Sequence, residues 1–113
     1  MQMHTLVAVW SAPDPEDEEA FEEHYTNEHA PKAAAVPNLQ KLITTRTAEG
    51  LEDGDPAFYR VAEMVFESPE AMHEAEESEE WAAVREDAGE MIERFGVTME
   101  VGIGERNVHD GED

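Results

Sequence analysis

His29 is the side chain best suited to chemistry at neutral pH. It lies in the stretch His24-Tyr25-Thr26-Asn27-Glu28-His29-Ala30-Pro31. An imidazole titrates near neutrality, so it can accept and return a proton or offer a hydrogen bond beside a cleft. A structural role fits the same position, because a histidine near a helix C-terminus is favoured by the dipole and caps the last turn. Spacing alone favours the cap. His24 and Glu28 are four residues apart and would share a helix face. That suits a metal contact or, as expected here, a solvated pair on a charged surface with no metal. Other chemistries have little to work with. The serines are Ser11, Ser68 and Ser78, two of them in cap or turn contexts, and none lies in a nucleophile-elbow motif. Gly102-Ile103-Gly104 ends a strand-like stretch with no third glycine and no helix behind it, so it reads as strand termination and not as a phosphate cradle. The chain has no cysteine, which removes disulfides, thiolate nucleophiles, iron–sulfur clusters and cysteine-ligated zinc together.

The elements that must position these residues can be read from pattern. Met3 to Trp10 is a strand-like run, stopped by Ser11-Ala12-Pro13. Asp14-Pro15 reads as an N-cap and first helical position, followed by acids that suit the helix dipole. Phe21 and Tyr25 then form an inward stripe, and the regular helix should weaken at Ala30-Pro31, with another turn or two over Pro31 to Val36 before Pro37. Leu39 to Thr47 reads as a second strand, 48–56 as a loop, and Phe58 to Phe66 as a third strand. Ser68-Pro69-Glu70 opens a second helical region that breaks near Ser78. Trp81, Val84, Ala88, Met91, Ile92 and Phe95 recur at helical spacing, and Gly96 closes that helix. Val97, Met99, Val101 and Ile103 alternate with Thr98, Glu100, Gly102 and Gly104 as a fourth strand. The order is β-α-β-β-α-β, the ferredoxin-like α+β arrangement: a four-stranded antiparallel sheet with helices on one face. Residues 1–106 are expected to form one domain and 107–113 a disordered acidic tail. Both faces of the third strand are largely apolar, so the face away from the helices needs a cover. A second copy of the sheet would supply it, as a homodimer around a barrel-like interior.

The chain has 113 residues, 7 Lys+Arg against 29 Asp+Glu and a formal net charge of −22. A chain this acidic is repelled by phosphate backbones and anionic lipid, so neither nucleic acid nor membrane is an expected partner. Eight acids lie between Asp14 and Glu28 and eleven between Glu67 and Glu93, whereas the four strand-like stretches hold only Glu63 and Glu100. Disorder or an acidic tail would not spare alternate apolar stretches, but acids on the outer faces of helices would. Glu outnumbers Lys by 22 to 2, which favours a folded protein adapted to strong salt, where self-repulsion is screened. No basic residue precedes Lys32 and no apolar run reaches the ~18 residues of a membrane span. A cytoplasmic location is expected.

Several of these residues carry a family resemblance. Phe21-x-x-x-Tyr25-x-x-x-His29-Ala30-Pro31, then Val36-Pro37-Asn38-Leu39, resembles the start of EthD-type proteins, named for ethyl tert-butyl ether degradation. Tyr59 to Phe66 resembles that family's third strand, and Ser68 to Met72, Ser78 to Trp81 and Asp87 its second helical region. The chain departs from the family where Pro37-Asn38 replaces a frequent Pro-Gly, and where Arg60-Val61 replaces a frequent acid and glycine. The resemblance implies a dimeric α+β barrel and a cavity between sheet and helices, with His29 and Tyr25 near its mouth. It leaves the reaction open, because proteins with this barrel include cofactor-free monooxygenases, lactone isomerases and polyketide cyclases.

Three roles follow. In the first, the protein is a small enzyme with no tightly bound cofactor, acting on a small apolar organic molecule by oxidation or acid–base chemistry. His29 would transfer the proton, Tyr25 would orient His29 or the substrate, and Trp10, Phe58, Met64 and Phe66 are candidate cavity walls, depending on which sheet face is exposed. In the second, it is a module that binds a hydrophobic ligand or assists a partner oxygenase without chemistry. In the third, it is a structural dimer with a filled interior and His29 as a cap.

Overall fold

The computed structural model describes residues 3–111, so residues 112 and 113 of the expected tail lie outside the described residues. Four strands, β1 (Met3–Trp10), β2 (Leu39–Arg46), β3 (Arg60–Phe66) and β4 (Met99–Arg106), form one antiparallel sheet in the order β2-β3-β1-β4. The helices are α1 (Glu18–His24), α2 (Ala30–Ala34), α3 (Pro69–Ala75) and α4 (Glu79–Phe95). The fold is the ferredoxin-like α+β arrangement. Among the described residues no helix is long and apolar enough to cross a membrane.

Strand register explains which side chains meet. Leu6 pairs with Met64 and Ile103, Ala8 with Ala62 and Val101, and Trp10 with Arg60 and Met99. Side chains alternate along a strand, so these residues share one face. Every strand residue in the two apolar clusters comes from that row. In one cluster Leu6, Ala8, Met64 and Phe66 pack against Ala33, Val36, Met72 and Ala75. In the other, Trp10 packs against Phe21, Tyr25, Met91 and Phe95. The opposite row carries Val7, Val9, Val61 and Ile43, all half-buried.

Local chemistry sets the helix ends. The Ser68 and Ser78 hydroxyls accept from the Ala71 and Trp81 amides, both at 3.1 Å, capping α3 and α4. Ser11 Oγ accepts from the Thr98 amide at 2.8 Å. All three serines are therefore tied to backbone. Gly96 ends α4 at φ 66°, a left-handed conformation that glycine adopts freely. Asn38 also has a positive φ, 67°, and its Nδ2 donates to the Ala71 carbonyl at 2.9 Å. Asn tolerates this conformation better than most residues other than glycine.

Three expectations need correction. The Asp14 side chain makes no cap bond; a 3-10 turn over Pro15–Asp17 leads into α1, and the Asp14 carbonyl accepts from the Asp17 amide at 2.8 Å. The third strand begins at Arg60, leaving Phe58 in the preceding loop. The first helical region departs from regular α geometry one turn before Ala30-Pro31 and, as expected, runs on beyond it. It passes through a π-helical turn, Tyr25–His29, and continues as α2. Pro31 has no N–H to offer the Asn27 carbonyl four residues back, and a wider turn accommodates that missing bond.

Candidate active site at the π turn

The π turn decides where the histidines go. On a regular α-helix, ~100° per residue sets positions five apart about 140° away from each other. A π turn has more residues per turn and closes that angle. His24 and His29, five apart, accordingly reach the same carboxylate, Asp87 in the middle of α4. His29 Nδ1 lies 2.8 Å from Asp87 Oδ2, and His24 Nε2 lies 2.9 Å from Oδ1 and 3.1 Å from Oδ2. Lys32 Nζ lies 3.4 Å from Oδ1. The same turn buries Tyr25 and His29 while leaving Thr26, Asn27 and Glu28 exposed. His29 caps no helix end; its ring is held across the structure by α4.

Asp87 is only 2% exposed. Burial by itself would raise its pKa, but hydrogen bonds from His29 and His24 outweigh that and hold the carboxyl below its ordinary value. An ionised carboxylate only accepts. Both imidazoles must therefore donate to it, which fixes His29 as the tautomer with its proton on Nδ1. Its Nε2 then carries a lone pair and has no hydrogen-bond partner among the described residues. Burial pushes the His29 pKa down, and the bond to Asp87 pushes part of the way back; the net direction is down. The neutral, proton-accepting form is favoured.

Tyr25 is braced from the other side. The Arg60 guanidinium sits 4.5 Å from the centre of the Tyr25 ring. Arg60 is paired with Glu22, which also accepts from the Tyr59 hydroxyl at 2.7 Å. Burial pushes the Tyr25 phenol up to about 12, so it stays protonated and able to donate. The rings of Trp10, Tyr25 and His29 are mutual neighbours, with centres 5.4 to 6.1 Å apart.

These three rings form part of the wall of a cavity of about 440 Å³ between sheet and helices, within the usual range for small-molecule sites. Leu6, Met64, Val84 and Met99 contribute to its largely apolar remainder. Of the residues singled out from sequence, His29, Tyr25, Trp10 and Met64 line this cavity, whereas Phe58 and Phe66 do not. Phe58 precedes β3 and is 38% exposed. Phe66 shares the face of Met64 but is fully buried, packed in the Met72–Ala75 cluster and against Trp81. His24 faces Asp87 and does not pair with Glu28. Asp87 and Lys32 were missed as partners of the histidines. Asp87 did carry a signal: it stands three residues after Val84 and four before Met91, an acid on the apolar stripe of a helix whose other acids point outward.

Fold and site together define a ferredoxin-like α+β protein with an imidazole–carboxylate pair on the wall of an apolar cavity. The chain belongs to the EthD domain family, whose model matches residues 13–94. A crystal structure of an ethyl tert-butyl ether degradation family protein from Bacillus halodurans superposes with a TM-score of 0.72 at 31% identity, covering 88% of this chain and 96% of that one. An uncharacterised 11.0 kDa protein from the thcB-thcC intergenic region of Rhodococcus erythropolis is 29% identical over 66 residues, which are 58% of this chain and 61% of that protein. A Mesorhizobium loti protein of the dabb family with a ferredoxin-like fold matches over 98% of this chain and 100% of its own, with a TM-score of 0.67 at 11% identity, a likeness of fold alone.

Proposed function

We propose that the chain is a cofactor-free enzyme that moves a proton on a small apolar organic molecule held between sheet and helices, and that it works as a homodimer. The observation that carries this reading is the 2.8 Å contact between His29 Nδ1 and Asp87 on a ring that lines the cavity. A carboxylate behind an imidazole fixes the tautomer and stabilises the imidazolium that forms when Nε2 takes a proton. His29 is the proton-transfer residue, Tyr25 orients the ligand beside it, and Trp10 and Met64 are walls. His24 and Lys32 act through Asp87 as positioning residues. Oxidation of the bound molecule is the redox version of the same chemistry, in which proton removal precedes attack by oxygen; oxygen uptake during turnover separates the two versions.

The test begins with a screen for small molecules that raise the melting temperature. Each hit is followed by NMR for chemical change, with the wild type and His29→Ala. Turnover lost in His29→Ala with affinity retained supports the enzyme. Hits that bind both forms and are never changed by either support the second reading, a hydrophobic-ligand module, for which the apolar cavity is sufficient. Dimerisation is supported by the half-buried Val7, Val9, Val61 and Ile43 on the sheet face opposite the helices. Light scattering reads it directly, and a monomer at micromolar concentration overturns it.

A further inference from the structure

The chain sets 7 Lys+Arg against 29 Asp+Glu, and four of those cations are held by acids. Lys32 meets Asp87, Arg46 and Arg60 meet Glu22, and Arg106 meets Glu63. Arg85 takes part in no salt bridge among the described residues. Its place on α4 is the second observation. Trp81, Val84, Ala88 and Ile92 form the apolar stripe of α4 on the cavity wall, and Arg85 stands within that stripe. No acid lies three or four residues from it along the helix; those positions hold Trp81, Ala82, Ala88 and Gly89. We infer that Arg85 is a ligand-binding residue and that the cavity takes an organic acid, its apolar body inside and its ionised carboxylate at the mouth against the guanidinium. This rests on the reading of the cavity as a small-molecule site and names the ligand class that the reading leaves open.

Direction supports the same assignment. α2 packs against both β2 and α4, and β2 and β4 are the two edges of the sheet, so α4 lies toward β4. Asp87 comes two residues after Arg85 and points about 160° away around the helix, toward the π turn and its histidines. Arg85 therefore faces the β4 edge, where Val101 and Ile103 line the cavity yet stay half exposed. Gly89, one turn on, lines the same wall, and a Cβ added there would meet nothing within 4 Å. Glycine weakens a helix interior, and no positive φ calls for one at this position; what it leaves is open space beside Arg85. A guanidinium matches a carboxylate with two parallel N–H···O bonds. Arg85 is exposed, so the pair avoids most of the desolvation cost of a buried one. One acid, Glu76 after α3, also lines the wall; it is exposed and forms no salt bridge with Arg85, so the guanidinium stays available. The net charge of −22 repels anions at long range, but at 0.1 M salt that field is screened beyond ~10 Å, and the local contact decides.

The experiment compares 2-naphthoate with 2-naphthamide, the same ring system without the charge, on the full chain in one buffer near neutral pH. Labelling with ¹⁵N at tryptophan reports entry, because Trp10 and Trp81 both line the cavity; either compound should move their indole signals. The naphthoate should bind about fivefold more tightly than the amide. Arg85→Gln should remove that preference while leaving the affinity for the amide and the melting temperature unchanged, and Arg85→Lys should keep part of it. Equal affinities in the wild type, a preference that survives Arg85→Gln, or indole signals unmoved by both compounds overturns the inference. The two compounds on the wild type suffice even if a variant does not fold. Failure of the proton-transfer reading looks different. An Arg85-dependent preference together with screening hits that are never chemically changed rejects the enzyme and keeps the acid site. Hits that are turned over by the wild type and not by His29→Ala, with no preference for the naphthoate, reject the acid site alone.

Discussion

At the scale of single residues, Asp87 matters as much as His29. It is a buried charge whose partners are two imidazoles and one ammonium, so removing it leaves the buried His29 donor and the partly exposed His24 donor without an acceptor. Asp87→Asn keeps the shape but lets His29 turn to the other tautomer. It should abolish His29-dependent turnover and cost about 1–3 kcal/mol of stability in urea unfolding. The pH dependence follows from the directions of the two shifts. His29 has its folded pKa lowered, so below ~6.5 the unfolded chain binds the proton more readily than the native one. Stability from this residue is complete above that pH and lost as pH falls toward the folded value. Asp87 is also lowered, so its contribution is complete above the ordinary carboxylate pKa of ~3.9 and is lost as pH falls through its folded value. The melting temperature of the wild type should therefore fall more steeply between pH 7 and 5 than that of His29→Gln. Parallel curves would contradict this.

At the scale of elements, strands and helix ends were open to sequence reasoning because their causes are local. An apolar run marked β1 and alternation marked β4, the Ser68 cap opened α3, the break near Ser78 set α4 apart, and Gly96 closed α4. Ser78→Ala should cost about 1 kcal/mol in thermal or urea unfolding. Gly96→Ala should cost a similar amount, wholly from backbone conformation, since nothing lies within 4 Å of a Cβ added there. The π turn was not legible, because Tyr25 and His29 at a spacing of four look the same in an α-helix. Nor was the pairing of His29 with Asp87, whose two residues are 58 positions apart; only the packing of α4 beside the turn joins them. Deleting the exposed Asn27 tests the turn directly. The segment should relax toward a regular helix, His29 should rotate away from Asp87, and the far-ultraviolet signal should stay nearly unchanged while ligand binding falls.

At the scale of the whole molecule, charge and apolar surface occupy different places. The acids concentrate in the helical segments, and the sheet face opposite the helices carries valine and isoleucine beside one cross-strand pair, Arg106 and Glu63 at 3.0 Å. Replacing Val61 by Glu on that face should give monomers by light scattering. A net charge of −22 spread over so small a protein repels itself. The melting temperature should rise from dilute buffer to molar KCl as the screening length shrinks to ~3 Å. The sheet order has one more consequence. β4 is an edge strand, and Val101 and Ile103 on it are 48% and 52% exposed. An edge of unpaired backbone with apolar side chains is a template for another strand. Mutual repulsion between molecules is what keeps such edges apart, so solubility has a lower pH limit set near the isoelectric point of about 4.2, where that repulsion vanishes.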